Sequence, residues 1–477
     1  MDTLPVEIIL TIGSHHVSDV DDRLRLLQVC RRWRALFLEV AYNDVDLEGP
    51  QIEPLTKVIL ANPRIGVAIR NLSVGWWHSY IDYHPQQREN DDRLPEAAEE
   101  LVGQISRSPE EQNDWIENLR SGNQEAWLAL LLASVPNLTA LSGRYCADAP
   151  RVTLVVARAA RKEPPFDTRP ALQRLETLHI TSEDMKDVNP HWQFLPFFHL
   201  PSLRDVDLDS VKETREWNRL DHPAVSSASG TAPVESLVLE SYCNGRNGMA
   251  EIITSCANLK EFKYQHDNTE AWSESYVDFQ PRKFYRALLM QKHSLEVLHL
   301  SDNGDVDGSA TDELSDNEKN DGPQAYDRWF GSLAEFSHLQ DLRIRVQNLL
   351  NYHDRDKDEC IVLKDILPAS LRSLHVAECW PKHCAVLVPN LQGVLAHHKE
   401  RFANLKRIGI SSGVSEGVPE GQNRFSYPRE ELIPESLKKP FVPVKEMCGR
   451  AGVKFKMTLG WSCTIISNTP HNFFFSH

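Results

Sequence analysis

The chain has 477 residues, 41% hydrophobic and 25% charged, which is the composition of a folded soluble protein and excludes a disordered one. Lys+Arg 52 against Asp+Glu 68 gives a formal charge of −16, the wrong sign for a diffuse phosphate-binding surface, so no nucleic-acid partner is expected. No run approaches the roughly 18 apolar residues of a membrane helix, and the 9 scattered cysteines fit reduced thiols in cytoplasm or nucleus.

The chain opens with MDTLPVEIILTIG, which lacks the basic start and small-residue cleavage site of a secretory leader. Pro5 suits a first helical turn, and Ile8, Ile9 and Ile12 form one apolar stripe behind it. Asp19, Asp21 and Asp22 are placed to cap a second helix. Downstream, Leu26, Val29, Cys30, Trp33 and Phe37 recur at helical spacing, with Arg31, Arg32 and Arg34 between them. Asn43–Asp44 then breaks the pattern, and Val45 and Leu47 alternate as in a strand. A helical module this short buries little surface alone, so a partner is expected to cover its exposed apolar face.

Leu4-Pro5-Val6-Glu7-Ile8-Ile9 together with Val29-Cys30-Arg31-Arg32-Trp33-Arg34 resembles an F-box, which opens on Leu-Pro-x-Glu with an aliphatic pair and ends on Val-Cys-Arg/Lys-x-Trp-Arg. Gly13 and His16 depart from the family, standing where leucine-like residues are usual. The resemblance implies that residues 1–48 dock on the small Skp-type adaptor of a cullin–RING ubiquitin ligase. It implies that Leu4, Pro5, Glu7, Ile8, Ile9, Ile12, Leu26, Val29, Cys30 and Trp33 serve that contact. Each buried aliphatic anchor is worth about 1.5–3 kcal/mol, so a few would hold a helical interface.

From residue 49 to 460 a second rhythm takes over, a short apolar-x-x-apolar-x-apolar phrase. It runs from Ile69–Leu72–Val74 and Leu138–Leu141 through Leu175–Leu178–Ile180, Leu203–Val206–Leu208, Val234–Leu237–Leu239 and Leu259–Phe262–Tyr264. It continues through Leu295–Leu298–Leu300, Leu339–Leu342–Ile344, Leu371–Leu374–Val376 and Leu405–Ile408–Ile410. From Leu175 the first positions are 28, 31, 25, 36, 44, 32 and 34 residues apart, at or beyond the long end of a leucine-rich repeat. Helical stretches are expected at Met249–Ala257, Phe284–Gln291, Tyr326–Phe336 and Leu387–His398. Asn303 and Cys379 stand at the ninth position of their copies, where a repeat bonds its loop. The pattern resembles a degenerate leucine-rich repeat, and the fold expected is α/β: a small N-terminal helical module, then an irregular repeat solenoid with a parallel sheet on its concave face.

Polar insertions are read near 78–115, 301–321 and 412–443. The middle one carries eight acidic residues against one lysine. Val453, Phe455, Met457 and Leu459 alternate as a last strand, and residues 461–477 form a tail with three consecutive phenylalanines.

No constellation for catalysis stands out. Asn303, Asp305, Asp307 and Gly308 match the start of a calcium loop, but Leu314 replaces its closing glutamate. Cys379, His383 and Cys384 are zinc-ligand types without a second pair. Phosphate-loop, nucleophile-elbow and His-Glu-x-x-His patterns are missing, so no enzyme, metal or cofactor is expected. The reading is a ligase substrate receptor whose repeats hold an unidentified target protein, with a non-ligase interaction scaffold as the alternative. In each strand the residues between the apolar positions face outward, which nominates Thr177, His179, Val238, Val297, His299, Arg343 and His375 for target contact.

Overall fold

Alternation of apolar and polar residues over four to seven positions turns each phrase into one strand, and the segments between phrases decide how the strands stack. A computed structural model describes residues 11, 20–77, 94–146, 149–182, 189–209, 211–213, 230–241, 247–266, 279–302, 329–350, 361–413 and 433–459. The chain divides into two units, one of residues 1–209, 216–227 and 231–233, the other of 210–215, 228–230 and 234–477.

In the first unit Thr11 is helical, and helices α1 (Val20–Val29) and α2 (Arg31–Tyr42) follow. Five parallel strands follow in chain order: β1 (Asp44–Leu47), β2 (Asn71–Val74), β3 (Ala140–Tyr145), β4 (Thr177–Ser182) and β5 (Asp205–Asp209). Their register sets Val45, Leu72, Leu141, Leu178 and Val206 side by side, and all but half-buried Val45 are closed to solvent. β1, which lies inside the 1–48 stretch, is therefore the first strand of this sheet.

Helices fill the connections. α3 (Gly49–Ala61) and α4 (Pro63–Ala68) join β1 to β2. α5 (Glu96–Ile105), α6 (Pro109–Ser121) and α7 (Gln124–Ala133) precede β3, and α8 (Pro150–Ala160) precedes β4. Pro109 at the first turn, the Ser108 hydroxyl accepting from Glu111 N–H at 3.2 Å and Gly122 at φ 76° define α6 at both ends. α5 and the first half of α6 fall within the 78–115 stretch and bury Ala98, Val102, Ile105 and Trp115. α7 is buried from Glu125 to Leu132, as an apolar-all-round helix must be.

The second unit repeats the plan with seven parallel strands: β6 (Ser236–Ser241), β7 (Glu261–His266), β8 (Val297–Asp302), β9 (Asp341–Arg345), β10 (Ser373–Cys379), β11 (Arg407–Ser412) and β12 (Lys454–Leu459). Leu237, Phe262, Leu298, Leu342, Leu374, Ile408 and Phe455 stand in one register row. Helices cover the side to which this row points. Phe284 of α9 (Pro281–Leu288) packs on Tyr264 at 4.4 Å between ring centroids, and Phe441 stacks on Phe455 at 6.2 Å.

A shared carbonyl ties each repeat to the next. Lys260 O accepts from Glu296 N–H at 2.7 Å and Val297 N–H at 3.0 Å. Glu296 O then accepts from Gln340 and Asp341, Gln340 O from Arg372 and Ser373, and Arg372 O from Lys406 and Arg407. The same double acceptance runs through Arg70, Thr139 and Glu176 in the first unit. At these junctions the residue before the strand satisfies two amides of the following repeat, and the spacing of the phrases can vary because only this junction has to match.

Three of the expected helices are present with shifted ends, at Ala250–Ser255, Pro281–Leu288 and Cys384–Ala396. The fourth, Tyr326–Phe336, is not helical over its described residues 329–336. Gly331 there has φ 140°, Phe330 N–H bonds Asn348 O at 2.8 Å, and Leu333 N–H bonds Ile366 O at 2.9 Å. These amides serve neighbouring segments and are lost to a helical ladder. Asn303, the calcium-like loop, most of the 301–321 and 412–443 insertions and the 461–477 tail lie outside the described residues.

Candidate functional site

Two surfaces carry the sequence-predicted residues. The first is the α1–α2 pair. The stripe Leu26, Val29, Cys30, Trp33, Phe37 reads as one helix, but the backbone breaks at Cys30, which is extended at φ −165° and ψ 170°. Cys30 Sγ accepts from Trp33 N–H at 3.4 Å and so caps α2, a role small polar side chains usually fill. Arg34 Nε donates to Leu27 O at 3.2 Å, satisfying a carbonyl at the end of α1.

The break divides the stripe. Leu27, Phe37 and Ala41 form the buried centre, and Leu26 and Trp33 are half-buried against it, Trp33 lying 5.3 Å from the Phe37 ring. Val29 is 60% exposed and Cys30 is also exposed. Of the candidate adaptor residues, Leu26 and Trp33 belong to the pair's own packing, while Val29 and Cys30 face solvent. Leu4, Pro5, Glu7, Ile8, Ile9 and Ile12, with Gly13 and His16, lie outside the described residues.

The second surface is the sheet face turned away from the helices. The nominated residues fall into two groups, one in each unit. In the first, Thr177 is exposed, and the His179 Nδ1–H donates to Asp207 Oδ2 at 3.0 Å on the next strand. That hydrogen bond holds the His179 imidazolium above its ordinary pKa against the opposing effect of burial.

In the second unit, Val238, Lys263, His299, Arg343, His375, Gly409 and Lys456 occupy one register row. His299 Nε2 lies 3.4 Å from Asp341 Oδ1, and Arg407 approaches the other Asp341 oxygen at 3.7 Å. Burial raises the Asp341 carboxyl, but the His299 hydrogen bond and charge, Arg407 and Ser373 together hold it below its ordinary value. His375 Nε2 sits 3.2 Å from Ser411 Oγ. Burial, with the charges of Arg343 and His299, drives His375 down to about 3, so its imidazole is neutral in the face.

Sequence reasoning missed Lys263, Gly409 and Lys456 as members of this row. The signal was available: each is read by taking the same phrase position in every copy, including Leu259–Phe262–Tyr264 and Leu405–Ile408–Ile410. Val297 stands in the row beside Asp341 and Glu261.

Cys379 and His383, with Cys384, bend around the backbone of Trp380. Both sulfurs lie 3.9 Å from Trp380 O, and His383 Nδ1 accepts from Trp380 N–H at 3.2 Å. Among the described residues no group of three or more His, Cys, Asp or Glu is arranged to hold a metal, and no helix is long and apolar enough to cross a membrane.

Comparison with known proteins finds two families in the chain. The leucine-rich repeat domain family matches residues 93–410, two thirds of the chain. The F-box-like family matches residues 1–46, the stretch that ends within β1. No curated protein matches the sequence. The helical N-terminal region and the long parallel sheet with its helices are consistent with these matches. The chain belongs to the leucine-rich repeat proteins and carries an F-box-like module ahead of its repeats.

Proposed function

We propose that the chain is the substrate-recognition subunit of an SCF-type cullin–RING ubiquitin ligase. Residues 1–48 dock on the Skp-type adaptor and through it on the cullin, and the open sheet face of residues 49–460 holds a target protein. One observation carries the reading: an F-box-like module that leaves Val29 60% exposed precedes a repeat array in the same chain. An exposed apolar side chain at the end of α1 is the kind of surface a helical partner covers.

On this reading the protein makes and breaks no bonds and needs no cofactor. It raises the local concentration of the target near a ubiquitin-charged enzyme, and holding two reactants together is itself a large rate effect. The compartment is cytoplasm, nucleus or both, where cullin ligases and reduced thiols are found.

Co-purification of the cullin tests it. The full-length chain is expected to retain adaptor and cullin, and the Leu4→Ala/Pro5→Ala variant to lose both while keeping its circular dichroism spectrum. Retention of the cullin by the variant, or its absence from the unaltered chain, sinks the receptor reading in favour of a scaffold that works outside the ligase.

A further inference from the structure

Over β7 to β12 the described residues of the second unit's sheet face carry a charge opposite to that of the whole chain. The formal charge of the protein is −16. Yet the outward positions of β7 to β12 hold Lys263, Arg343, Arg407, Lys454 and Lys456, against the carboxylates of Glu261 and Asp341 among the described residues. Those two carboxylates only thin the field: Glu261 lies 2.8 Å from Lys263, and Asp341 is shared between His299 and Arg407. Arg345, the other cation on β9, is matched by Glu378 at 2.6 Å.

This is not the general character of the repeats. Equivalent positions in the first unit carry Asp44, Asp46, Asp205, Asp207 and Asp209, with Arg144 and His179 among them. Nor is it only the lysine that protects an edge strand. That device accounts for Lys454 and Lys456 on β12, but not for Lys263, Arg343 and Arg407 on strands paired on both sides. The outermost cations are open to solvent, with the Arg407 side chain 64% exposed and Lys454 and Lys456 exposed.

We propose that this face binds a target through an extended segment rich in aspartate and glutamate. The proposal rests on the substrate-receptor reading and gives it a substrate class. Neighbouring strands lie about 4.8 Å apart, so β7 to β12 span about 24 Å, which an extended chain crosses in about seven residues. The cations are spread along that path and do not converge on one point, which matches a row of carboxylates better than a single phosphate. Gly409, over which the neutral His375 ring lies, makes an uncharged step between Arg343 and Lys456.

Fluorescence anisotropy on the full-length chain bound to its adaptor tests this, with labelled heptaglutamate and heptaglutamine peptides as probes. Heptaglutamate is expected to bind, to weaken as salt is added, and to lose roughly tenfold or more in affinity in the Arg407→Glu/Lys454→Glu/Lys456→Glu variant. The helix-side variant Lys445→Glu/Arg450→Glu is expected to bind like the unaltered chain. Equal binding of the two peptides, or salt-independent binding by the unaltered chain, overturns the proposal without depending on how any variant folds. A photo-crosslinker at Ser373 separates the two levels. Target capture there with no preference for glutamate removes the acidic class alone, whereas capture only from an outer helix removes the face assignment too.

Discussion

Gly409 stands opposite His375 in the β10–β11 register, and the space its missing side chain leaves is the space the imidazole fills. A Cβ at 409 would lie 2.5 Å from His375 Nδ1 and 3.3 Å from its Cε1. The far nitrogen of the ring is 3.2 Å from Ser411 Oγ, so the ring is held on both sides. Gly409→Ala is expected to destabilise the protein by about 1–3 kcal/mol, the usual cost of overpacking. His375→Ala in the same chain should return part of that loss, because the clash needs both groups. Thermal unfolding of the two single variants and the double checks it, and strictly additive effects would show that the contact is not what restricts position 409.

His375 also sets a pH dependence. Arg343 from β9 and His299 from β8 oppose its protonation, Asp341 favours it, and burial dominates, lowering it from 6.5 to about 3. Between those values the unfolded chain binds a proton that the folded chain refuses, so stability falls as pH drops below 6.5. The slope for one such proton is at most about 1.4 kcal/mol per pH unit. Unfolding followed from about pH 7 down to about pH 5 should therefore cost the unaltered protein more than His375→Asn. Parallel losses in the two proteins would mean that His375 titrates normally.

His179 works with the opposite sign. Its hydrogen bond to Asp207 raises its folded pKa above 6.5, so that stabilisation is complete below the unfolded value and fades as pH rises through the folded one. Asp207→Asn is expected to lower the His179 pKa in an NMR titration of the ring protons. An unchanged titration midpoint would dissociate the shift from that carboxylate.

Glu125 links two helices from inside the first unit. Its carboxylate, fully buried at the start of α7, accepts from Arg151 N–H at 2.7 Å, Val152 N–H at 2.8 Å and Arg151 Nη1 at 3.0 Å, capping α8. Burial raises its pKa despite those partners. Glu125→Ala strands the amides and the guanidinium and should cost about 3–5 kcal/mol. Glu125→Gln keeps an acceptor without the buried charge and should cost clearly less. Equal melting temperatures for the two variants would place the importance of this site in its charge instead of its capping.

The apolar frame of the repeats was legible because every phrase repeats one local pattern: Leu298 and Leu342, or Leu374 and Ile408, are inward for the same reason. What lay beyond it depended on relations that local spacing does not carry. The stripe from Leu26 to Phe37 keeps helical spacing across Cys30, so the break that leaves Val29 exposed is invisible to periodicity. Tyr326–Phe336 reads as amphipathic, but the amides of Phe330 and Leu333 are taken by residues in later segments. The fit of His375 to Gly409 needs the strand register, and so does the sharing of Asp341 between His299 and Arg407. Glu125 looks like an ordinary charge in the first turn of a helix until α8 is seen to begin on it.

The most direct test of the account is the affinity of the full-length chain for a purified Skp-type adaptor, measured by calorimetry with and without Val29→Glu. Removing residues 1–48 is a poorer choice, since it also strips β1 from the sheet. Val29 is 60% exposed at the end of α1, so the substitution should leave the melting temperature unchanged. The account predicts tight adaptor binding by the unaltered chain and a loss of roughly tenfold or more in the variant, as for a charge placed in a buried helical interface. No adaptor binding by the unaltered chain, or equal affinity in the variant, would contradict it.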